Sequence, residues 1–197
     1  MLRAVIVGFG NIGHAVLEAL LASADFEAAG VVSRSLAVGA LGDIPVVRDI
    51  EALLKPDVAI LCSPSRAVPD LAASLLEKGI CTVDSYDIHS SIYEVRQRLD
   101  AVAKAHGAAA VMSAGWDPGT DSMVRALLEA MAPKGITYTN FGPGMSMGHT
   151  VAVKAIPGVK NALSMTIPLG TGIHRRMVYV ELAEGYAFAD VAAAIKN

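Results

Sequence analysis

The sequence predicts an α/β fold in which a doubly wound parallel sheet is followed by a smaller α+β segment. Three observations lead to this prediction. Short apolar runs alternate with helical patterns along residues 1–133, as in a parallel sheet covered by helices on both faces. The first apolar run leads directly into a glycine motif and a helix. From residue 134 the order changes to β-α-β-β-α, which predicts a second domain over residues 134–197.

The glycine motif connects the first strand to the first helix. The apolar run 4–7 is followed by Gly8, Gly10 and Gly13 in a Gly-x-Gly-x-x-Gly pattern, and a helix is expected over 12–24. In this setting the pattern is typical of a dinucleotide-binding Rossmann domain. The first glycine permits the tight turn, the second lets a pyrophosphate approach the backbone, and the third lets the helix pack on the strand. The free N–H groups at the helix start then bind phosphate.

The end of the second strand indicates which dinucleotide is bound. The strand is expected over 28–32, and Ser33, Arg34 and Ser35 follow it. NAD enzymes usually carry an acidic residue here to hold the ribose 2′-hydroxyl, whereas a hydroxyl and an arginine suit a 2′-phosphate. The sequence therefore predicts NADP rather than NAD. The alternative is a solvated turn with a chance arginine.

The other elements of the first domain follow the same alternation of strand and helix. The stretch 38–43 is expected to be a loop. The expected elements are a short strand at 46–47, a brief helix capped by Asp49, a buried strand at 58–62, a helix at 69–78, a strand at 80–84, a helix opened by a Ser91–Glu94 capping box, a strand at 109–113 and an amphipathic helix through Met131.

The second domain is expected to be short. Its predicted elements are a strand at 136–141, a loop at 142–149, a helix at 150–156, strands at 163–167 and 177–182 and a helix at 188–196. A segment of this size seldom forms a core alone. It is therefore expected to pack on the first domain, on a second subunit or on further chain.

The composition excludes several classes of protein. The 197 residues are 53% hydrophobic with a net charge of −3, which gives no basic surface for nucleic acid or anionic membranes. No apolar run reaches the ~20 residues of a membrane span, and no signal peptide is expected, so a cytoplasmic location is predicted. Cys62 and Cys81 are expected to be buried thiols, and the methionines to pack in the core. No metal-ligand spacing is found.

Polar residues gather after three strands, at residues 63–66, 84–87 and 116–119. The carboxyl edge of a parallel sheet is where ligands bind. Asp87 and Asp117 can hold an ammonium group there, and the indole of Trp116 can orient a polar one. Each has a structural alternative: Asp117 before a proline can cap a helix, Asp87 can be a turn residue, and Trp116 can belong to the core.

The second domain offers weaker candidates. Arg175 and Arg176 precede a strand and can bind a carboxylate, and the alternative is a solvated strand end. If the strand is half-buried, only one of the two side chains can point inward. His149 and His174 can transfer protons, although such residues are more often surface histidines.

Five segments resemble those of one family, in order along nearly the whole chain. They are Gly-Phe-Gly-Asn-Ile-Gly at 8–13, Thr-Val-Asp-Ser-Tyr-Asp at 82–87, Gly-Trp-Asp-Pro-Gly at 115–119, Phe-Gly-Pro-Gly at 141–144 with residues 146–149, and Ile-Pro-Gly-Val at 156–159. They are similar to meso-diaminopimelate dehydrogenase. The second and third glycine-rich segments, at 115–119 and 141–144, are more specific than the first.

The resemblance implies an NADP-dependent homodimer. Such enzymes reversibly oxidise and deaminate the D-configured centre of meso-2,6-diaminopimelate to L-2-amino-6-oxopimelate and ammonia, in lysine and cell-wall precursor synthesis. The substrate α-carbon gives a hydride to the nicotinamide, and water attacks the resulting imine.

The resemblance also implies site residues. The cofactor contacts are Phe9, Gly10, Asn11, Ile12, Ser33, Arg34, Ser35, Cys62, Ser63, Pro64, Ser65, Ser85, Tyr86, Asp87, Ala114, Gly115, Trp116, Asp117 and Pro118. The substrate contacts are Asp87, Asp117, Trp116, Phe141, Met147, Thr166 and Arg176, of which Asp87 and Asp117 are the candidate catalytic groups.

Two departures from the family are expected to matter. Many relatives carry a second basic residue where this chain has Ser35, which weakens the expected grip on the 2′-phosphate. Family members also continue past Asn197 with a His and an Asn that bind the distal end of the substrate, so the chain is expected to be truncated. The alternative functions are a related Rossmann reductase, for example one resembling dihydrodipicolinate reductase, and an NADP-binding module without turnover.

Overall fold

The computed structural model describes residues 1–135, 144–145, 147–170 and 173–196. The chain divides into two compact units, Met1–Gly135 and Ile136–Asn197. The assignment of the first to the cofactor, and of the second to substrate binding and dimerisation, stays a prediction.

The first unit is a seven-stranded sheet with helices on both faces, as predicted. Its strands are β1 (Leu2–Val7), β2 (Phe26–Val32), β3 (Gly39–Leu41), β4 (Ile44–Val47), β5 (Val58–Leu61), β6 (Cys81–Asp84) and β7 (Ala110–Val111). The strand order is β3-β4-β2-β1-β5-β6-β7, and all neighbours pair in parallel except β3 with β4. Strands β2, β3 and β4 lie on one side of β1, and strands β5, β6 and β7 lie on the other side. The crevice at the carboxyl ends of β1 and β5 is therefore the ligand position of this topology.

Apolar side chains on both faces hold this sheet. The strand β1 shows the pattern most clearly, because Val5 packs on one face and Ile6 on the other, both fully buried. Leu99 covers the first face and Leu20 the second. Each such buried side chain contributes roughly 1.5–3 kcal/mol to folding. A strand buried on both faces needs a continuous apolar run, which is what the sequence provides.

Four helices belong to this unit: α1 (Asn11–Leu21), α2 (Val68–Glu77), α3 (Ile92–Ala105) and α4 (Thr120–Met131). The predicted capping box of α3 is wrong. Ser91 precedes the helix, but its hydroxyl makes no capping hydrogen bond and instead lies 3.1 Å from the hydroxyl of Tyr86. A tertiary contact has replaced the local one. Asp49, in contrast, accepts a hydrogen bond from the Glu51 N–H at 3.0 Å and caps a single 3₁₀ turn as predicted.

A short hairpin at the sheet edge was not predicted. The stretch expected to be a loop contains β3, which pairs antiparallel with β4 through Leu41 and Ile44. The prediction failed because β3 has only three residues and no alternating pattern.

The second unit contains β8 (Gly144–Met145), α5 (Met147–Lys154), β9 (Val159–Gly170), β10 (Ile173–Leu182) and α6 (Phe188–Lys196). The strands β9 and β10 are longer than the predicted 163–167 and 177–182, and α5 begins before the predicted residue 150. The predicted strand 136–141 lies outside the described residues. The smaller sheet that follows the larger one confirms the predicted fold class.

The β9–β10 ribbon has two unlike faces. Ser164 is buried and its N–H donates to the Thr150 hydroxyl of α5 at 3.0 Å, so helix α5 covers this inner face. Side chains alternate along a strand, so the neighbours of Ser164 point the other way. This outer face is formed by Leu163, Met165, Ile167, Met177 and Tyr179, and Leu163, Met177 and Tyr179 are 36%, 38% and 55% exposed.

Two expectations about packing are corrected. Met123 and Met131 on α4 were expected in the core but are 62% and 80% exposed, because the apolar face of α4 has little packed against it among the described residues. Cys62 and Cys81 are free thiols as predicted, but both are half-buried rather than fully buried.

Candidate functional site

A cavity of about 560 Å³ opens at the carboxyl ends of β1, β2 and β5. Its lining comes from four chain segments that the sheet brings together: Val7, Gly8, Phe9 and Gly10; Val32, Ser33, Arg34 and Ser35; Arg48; and Cys62, Ser63, Pro64, Ala67 and Leu71. The first, second and fourth segments contain predicted cofactor residues. Arg48 was not predicted.

The glycines of the motif have different roles. Gly8 has φ +97°, and a Cβ there would lie 2.5 Å from the Cys62 carbonyl oxygen, so only glycine makes this turn. A Cβ on Gly13 would collide with the carbonyl oxygen of Gly8. A Cβ on Gly10 would meet no atom within 4 Å. The space beside Gly10 is open toward the cavity, which fits a ligand that approaches the backbone closely.

The start of α1 suits an anion. Gly10 occupies the N-cap position and has no side chain to cap the helix, and the first turn carries no acidic residue. The first N–H groups of the helix have no intrahelical partner, and the helix dipole favours negative charge at this end. A pyrophosphate of a dinucleotide fits these residues.

Ser33 shapes the loop after β2 through its hydroxyl group. It is buried, and its hydroxyl accepts hydrogen bonds from the N–H groups of Ser35 at 3.3 Å and Leu36 at 3.2 Å. Its hydroxyl also lies 3.2 Å from that of Ser35. These contacts fold the loop so that Arg34 and Ser35 are exposed at the cavity.

The half-buried thiol of Cys62 lies at the floor of the cavity. Burial raises its pKa from 9.0 to about 11, because the thiolate loses hydration there. The neighbouring Ser63 hydroxyl donates to the Val7 carbonyl at 3.3 Å, which ties the ends of β1 and β5 together. These residues support the floor through packing and backbone contacts.

Asp84 fixes the next predicted segment, residues 85–87. It is buried at the end of β6, and its Oδ1 accepts hydrogen bonds from the N–H groups of Tyr86 at 2.9 Å and Ser113 at 3.1 Å. The Ser113 hydroxyl in turn donates to the Tyr86 carbonyl at 2.9 Å. Asp87 then accepts a hydrogen bond from the Ser65 hydroxyl at 2.5 Å. The structure therefore joins two of the three predicted segments at one edge.

Asp117 does not cap a helix, so the capping alternative is wrong. Helix α4 begins at Thr120 with Gly119 as its N-cap, and the Asp117 carboxylate instead pairs with Arg125 at 2.8 Å. Arg125 also pairs with Asp121 at 3.0 Å. Trp116 is 57% exposed, so the core alternative is also wrong.

The described candidates of the second unit lie on β9, β10 and helix α5. Thr166 and Arg176 are directly opposite each other in the ladder and both are half-buried, whereas Arg175 is exposed. This agrees with the expectation that only one arginine points inward. Arg176 Nη2 lies 3.3 Å from Nε2 of the exposed His174. His149 is exposed too.

Phe141 and Met147 are the two remaining predicted substrate residues. Phe141 lies outside the described residues, and Met147 is placed only as the first residue of α5.

No group of three His, Cys, Asp or Glu residues within the described ranges could hold a metal ion. Among the helices that the structure describes, none combines the length and apolarity needed to cross a membrane.

Comparison with known proteins places both units. Residues 2–113 match the oxidoreductase family with an NAD-binding Rossmann fold, and residues 115–180 match the diaminopimelic acid dehydrogenase C-terminal domain. A meso-diaminopimelate D-dehydrogenase from Bacteroides fragilis is 66% identical over 99% of this chain. The chain belongs to the diaminopimelate dehydrogenase family. A second such dehydrogenase, from Lysinibacillus sphaericus, is 38% identical over 88% of the chain.

Two solved structures agree with this membership. The C. glutamicum DAP dehydrogenase in complex with DAP matches with a TM-score of 0.81 and 31% identity, over 99% of this chain and 65% of that one. An engineered D-amino acid dehydrogenase bound to NADP⁺ matches with a TM-score of 0.78 and 29% identity, over 99% of this chain and 65% of that one. The chain spans 66% of the length of the B. fragilis relative and 55% of the L. sphaericus relative.

Two arginines beside the predicted site residues were not identified from the sequence: Arg48, which lines the cavity, and Arg125, which pairs with Asp117. Arg125 follows Asp121 by four residues on a helix, so the spacing of ion pairs on helices could have identified it. Arg48 offers no such signal, because only the pairing of β4 with β2 brings it to the cavity.

Proposed function

We propose that this chain is the NADP-binding part, with a portion of the substrate domain, of a meso-diaminopimelate dehydrogenase. The reaction is the reversible oxidative deamination of the D-configured centre of meso-2,6-diaminopimelate to L-2-amino-6-oxopimelate and ammonia. The observation that carries the proposal is the 66% identity to the B. fragilis enzyme of that name. A cytoplasmic place in lysine and cell-wall precursor synthesis goes with this reaction.

The cavity residues fit NADP. The open side of Gly10 and the start of α1 would take the pyrophosphate, and the exposed loop with Arg34 and Ser35 would take the ribose 2′-phosphate. Arginine supplies planar, charged donors for a phosphate, and no acidic residue stands in this loop to prefer a free 2′-hydroxyl. When bound, the nicotinamide accepts the hydride of the substrate α-carbon.

The candidate substrate groups are carboxylates held by neighbours. Ser65 orients Asp87, and Arg125 orients Asp117, so neither side chain must be ordered by the substrate itself. Orientation before binding reduces the entropy that the substrate must supply. In this proposal the two carboxylates hold the reacting ammonium group, take up its protons as the imine forms and direct the attacking water.

The second unit carries groups suited to a carboxylate. A diamino diacid carries two carboxylates, for which an arginine with a flanking hydroxyl is a suitable partner. Within this unit, Arg176 and Thr166 provide such a pair on adjacent strands, and both are half-buried. Trp116, Phe141 and Met147 complete the substrate set by the family resemblance.

The proposed oligomer is a homodimer through the outer face of β9–β10. This face presents apolar side chains of Leu163, Met177 and Tyr179 to solvent. Apolar faces of this kind are typical of association surfaces. The family resemblance implies that a second copy of the chain covers this face.

The second candidate function is a module that binds NADP without turnover. The cavity lined by Gly10, Arg34 and Ser35 supports cofactor binding by itself. Such a module would make the same cofactor contacts without oxidising a substrate.

One assay separates the two candidates. NADP⁺ reduction is followed at alkaline pH with meso-diaminopimelate, with D-lysine and D-alanine as comparisons, and intact mass is recorded on the same sample. Turnover with the meso compound alone supports the dehydrogenase. NADPH binding without turnover, at the mass of 197 residues, supports the binding module. Absence of both overturns the NADP proposal.

A further inference from the structure

Arg48 reaches the cavity because of strand register. Val47 of β4 is opposite Val32 of β2 in a parallel ladder, and the Ser33 N–H donates to the Val47 carbonyl at 3.0 Å. The next residue on each strand is therefore Ser33 on one side and Arg48 on the other. Arg48 Nη1 donates to the Ser33 carbonyl at 2.6 Å, which fixes the guanidinium beside the loop of Arg34 and Ser35.

The guanidinium of Arg48 has a charge and N–H donors that can bind a ligand. Among the described residues it forms no ion pair, and its hydrogen bond to Ser33 uses one of five N–H donors. The adjacent carboxylate of Asp49 caps the following turn through the Glu51 N–H. Arg34 likewise has no ion pair among the residues that the structure describes. Two unpaired cations thus line the same end of the cavity.

The loop itself supplies only one cation. The Ser33 hydroxyl accepts hydrogen bonds from the loop backbone, and position 35 carries a serine rather than a basic residue. A phosphate monoester carries about −1.5 to −2 charge at neutral pH and offers three acceptor oxygens. Arg34 alone leaves part of that charge uncompensated.

We infer that Arg48 is a second ligand of the ribose 2′-phosphate and a determinant of the preference for NADP over NAD. This inference rests on the proposed function, because it assumes that the cavity binds NADP. Arg48, at the end of the neighbouring strand β4, then supplies the positive charge that position 35 lacks. The specificity residue then lies outside the Ser-Arg-Ser segment that the sequence analysis identified.

The test uses two probes that differ only in the 2′-phosphate. Binding of adenosine 2′,5′-bisphosphate and of 5′-AMP is measured by isothermal titration calorimetry on the 197-residue chain and on Arg48→Gln. Loss of a charge-assisted hydrogen bond is expected to weaken binding of the bisphosphate about tenfold or more, with less than about a twofold change for 5′-AMP. Arg48→Lys, which keeps the charge, is expected to recover part of the loss.

The matched control is Arg96→Gln, which removes the same charge from helix α3, away from the cavity lining. It is expected to bind both probes as the unmodified chain does. If Arg48→Gln weakens both probes equally, Arg48 only supports the loop through Ser33, and the inference is wrong. It is also wrong if Arg48→Gln leaves bisphosphate binding unchanged. If the unmodified chain itself shows no preference for the bisphosphate, the proposal of NADP fails instead.

Discussion

The carboxylate of Asp117 is held by an arginine in the second turn of the following helix. The Arg125 guanidinium bridges Asp117 at 2.8 Å and the largely buried Asp121 at 3.0 Å. Exposed ion pairs contribute little to stability, about 0–1 kcal/mol, so this bridge matters more for orientation than for folding. A free Asp117 side chain would have to be ordered at each binding event.

Arg125→Gln should therefore affect substrate use more than folding. We expect the KM for meso-diaminopimelate to rise about threefold to tenfold, because the ordering cost of one side chain is about 1 kcal/mol. NADP binding should stay within about twofold. Steady-state kinetics and calorimetric titration of NADP⁺ measure the two effects.

The control for Arg125→Gln is Arg98→Gln. Arg98 is also a half-exposed helical arginine. It lies on α3 and pairs with Asp70 of α2 at 2.8 Å. It should change neither KM nor NADP binding. An unchanged KM in Arg125→Gln would mean that Asp117 does not depend on this contact.

Cys62 provides a pH test of the cavity floor. Its pKa is raised to about 11 by burial, so the thiol stays protonated up to about pH 10. Alkylation by iodoacetamide, followed by peptide mass spectrometry, should remain slow at pH 8–9 and accelerate toward pH 11, since only the thiolate reacts. The folded pKa lies above the unfolded one, so this group's contribution to stability is complete below pH 9 and declines as the pH rises toward 11. Fast alkylation at pH 8 would contradict the burial of this thiol.

At the scale of the element, two glycines of the β1–α1 turn have different roles, because Gly8 is needed for folding and Gly10 is expected to be needed for ligand binding. Gly8 has φ +97° and stands against the Cys62 carbonyl, whereas Gly10 has φ −95° and open space around its Cα. Alanine at position 8 should cost about 2 kcal/mol or more through strain and collision. Alanine at position 10 should cost less than about 1 kcal/mol.

Ligand binding should show the opposite order in these variants. Gly10→Ala should retain a melting temperature close to that of the unmodified chain but bind NADP⁺ at least about tenfold more weakly, because its methyl group would occupy the proposed pyrophosphate position. Gly8→Ala should lower the melting temperature by about 4 °C or more. Scanning calorimetry and NADP⁺ titration measure both. Unchanged NADP⁺ affinity in Gly10→Ala would place the pyrophosphate elsewhere.

Elements with strong local signals were predicted from the sequence, and those set by pairing were not. The apolar runs and glycines specified β1, α1, β2 and β5 because both signals are local. Ser91 misled the prediction, because its hydroxyl contacts Tyr86 rather than its own helix. Arg48 could not be predicted either, because its place depends on the register of β4 against β2. The sequence correctly predicted that residues 63–65 and 85–87 meet at one edge of the sheet, where Ser65 contacts Asp87. The pairing of Asp117 with Arg125 was not predicted.

At the scale of the whole molecule, the two units differ in how completely their sheets are covered. The large sheet has buried clusters on both faces. The β9–β10 ribbon is covered by α5 on its inner face, while its outer face exposes Leu163, Met177 and Tyr179. An exposed apolar face on a small three-stranded sheet, in the order β10-β9-β8, gains stability when a second apolar surface covers it.

The proposed homodimer gives this outer face its function, and one substitution tests it. Tyr179→Glu places a charge within the apolar outer face, opposite Leu163 in the ladder, and burying that charge in an interface should cost about 2 kcal/mol or more, a factor of 30 in Kd. Light scattering coupled to size-exclusion chromatography should show a dimer for the unmodified chain and a concentration-dependent monomer for the variant. Tyr93→Glu, at an exposed tyrosine on α3, should stay dimeric because the same charge there remains in solvent. A monomeric unmodified chain would show that the outer face is not an interface between copies of this chain. A dimer that Tyr179→Glu leaves intact would place the interface on another surface.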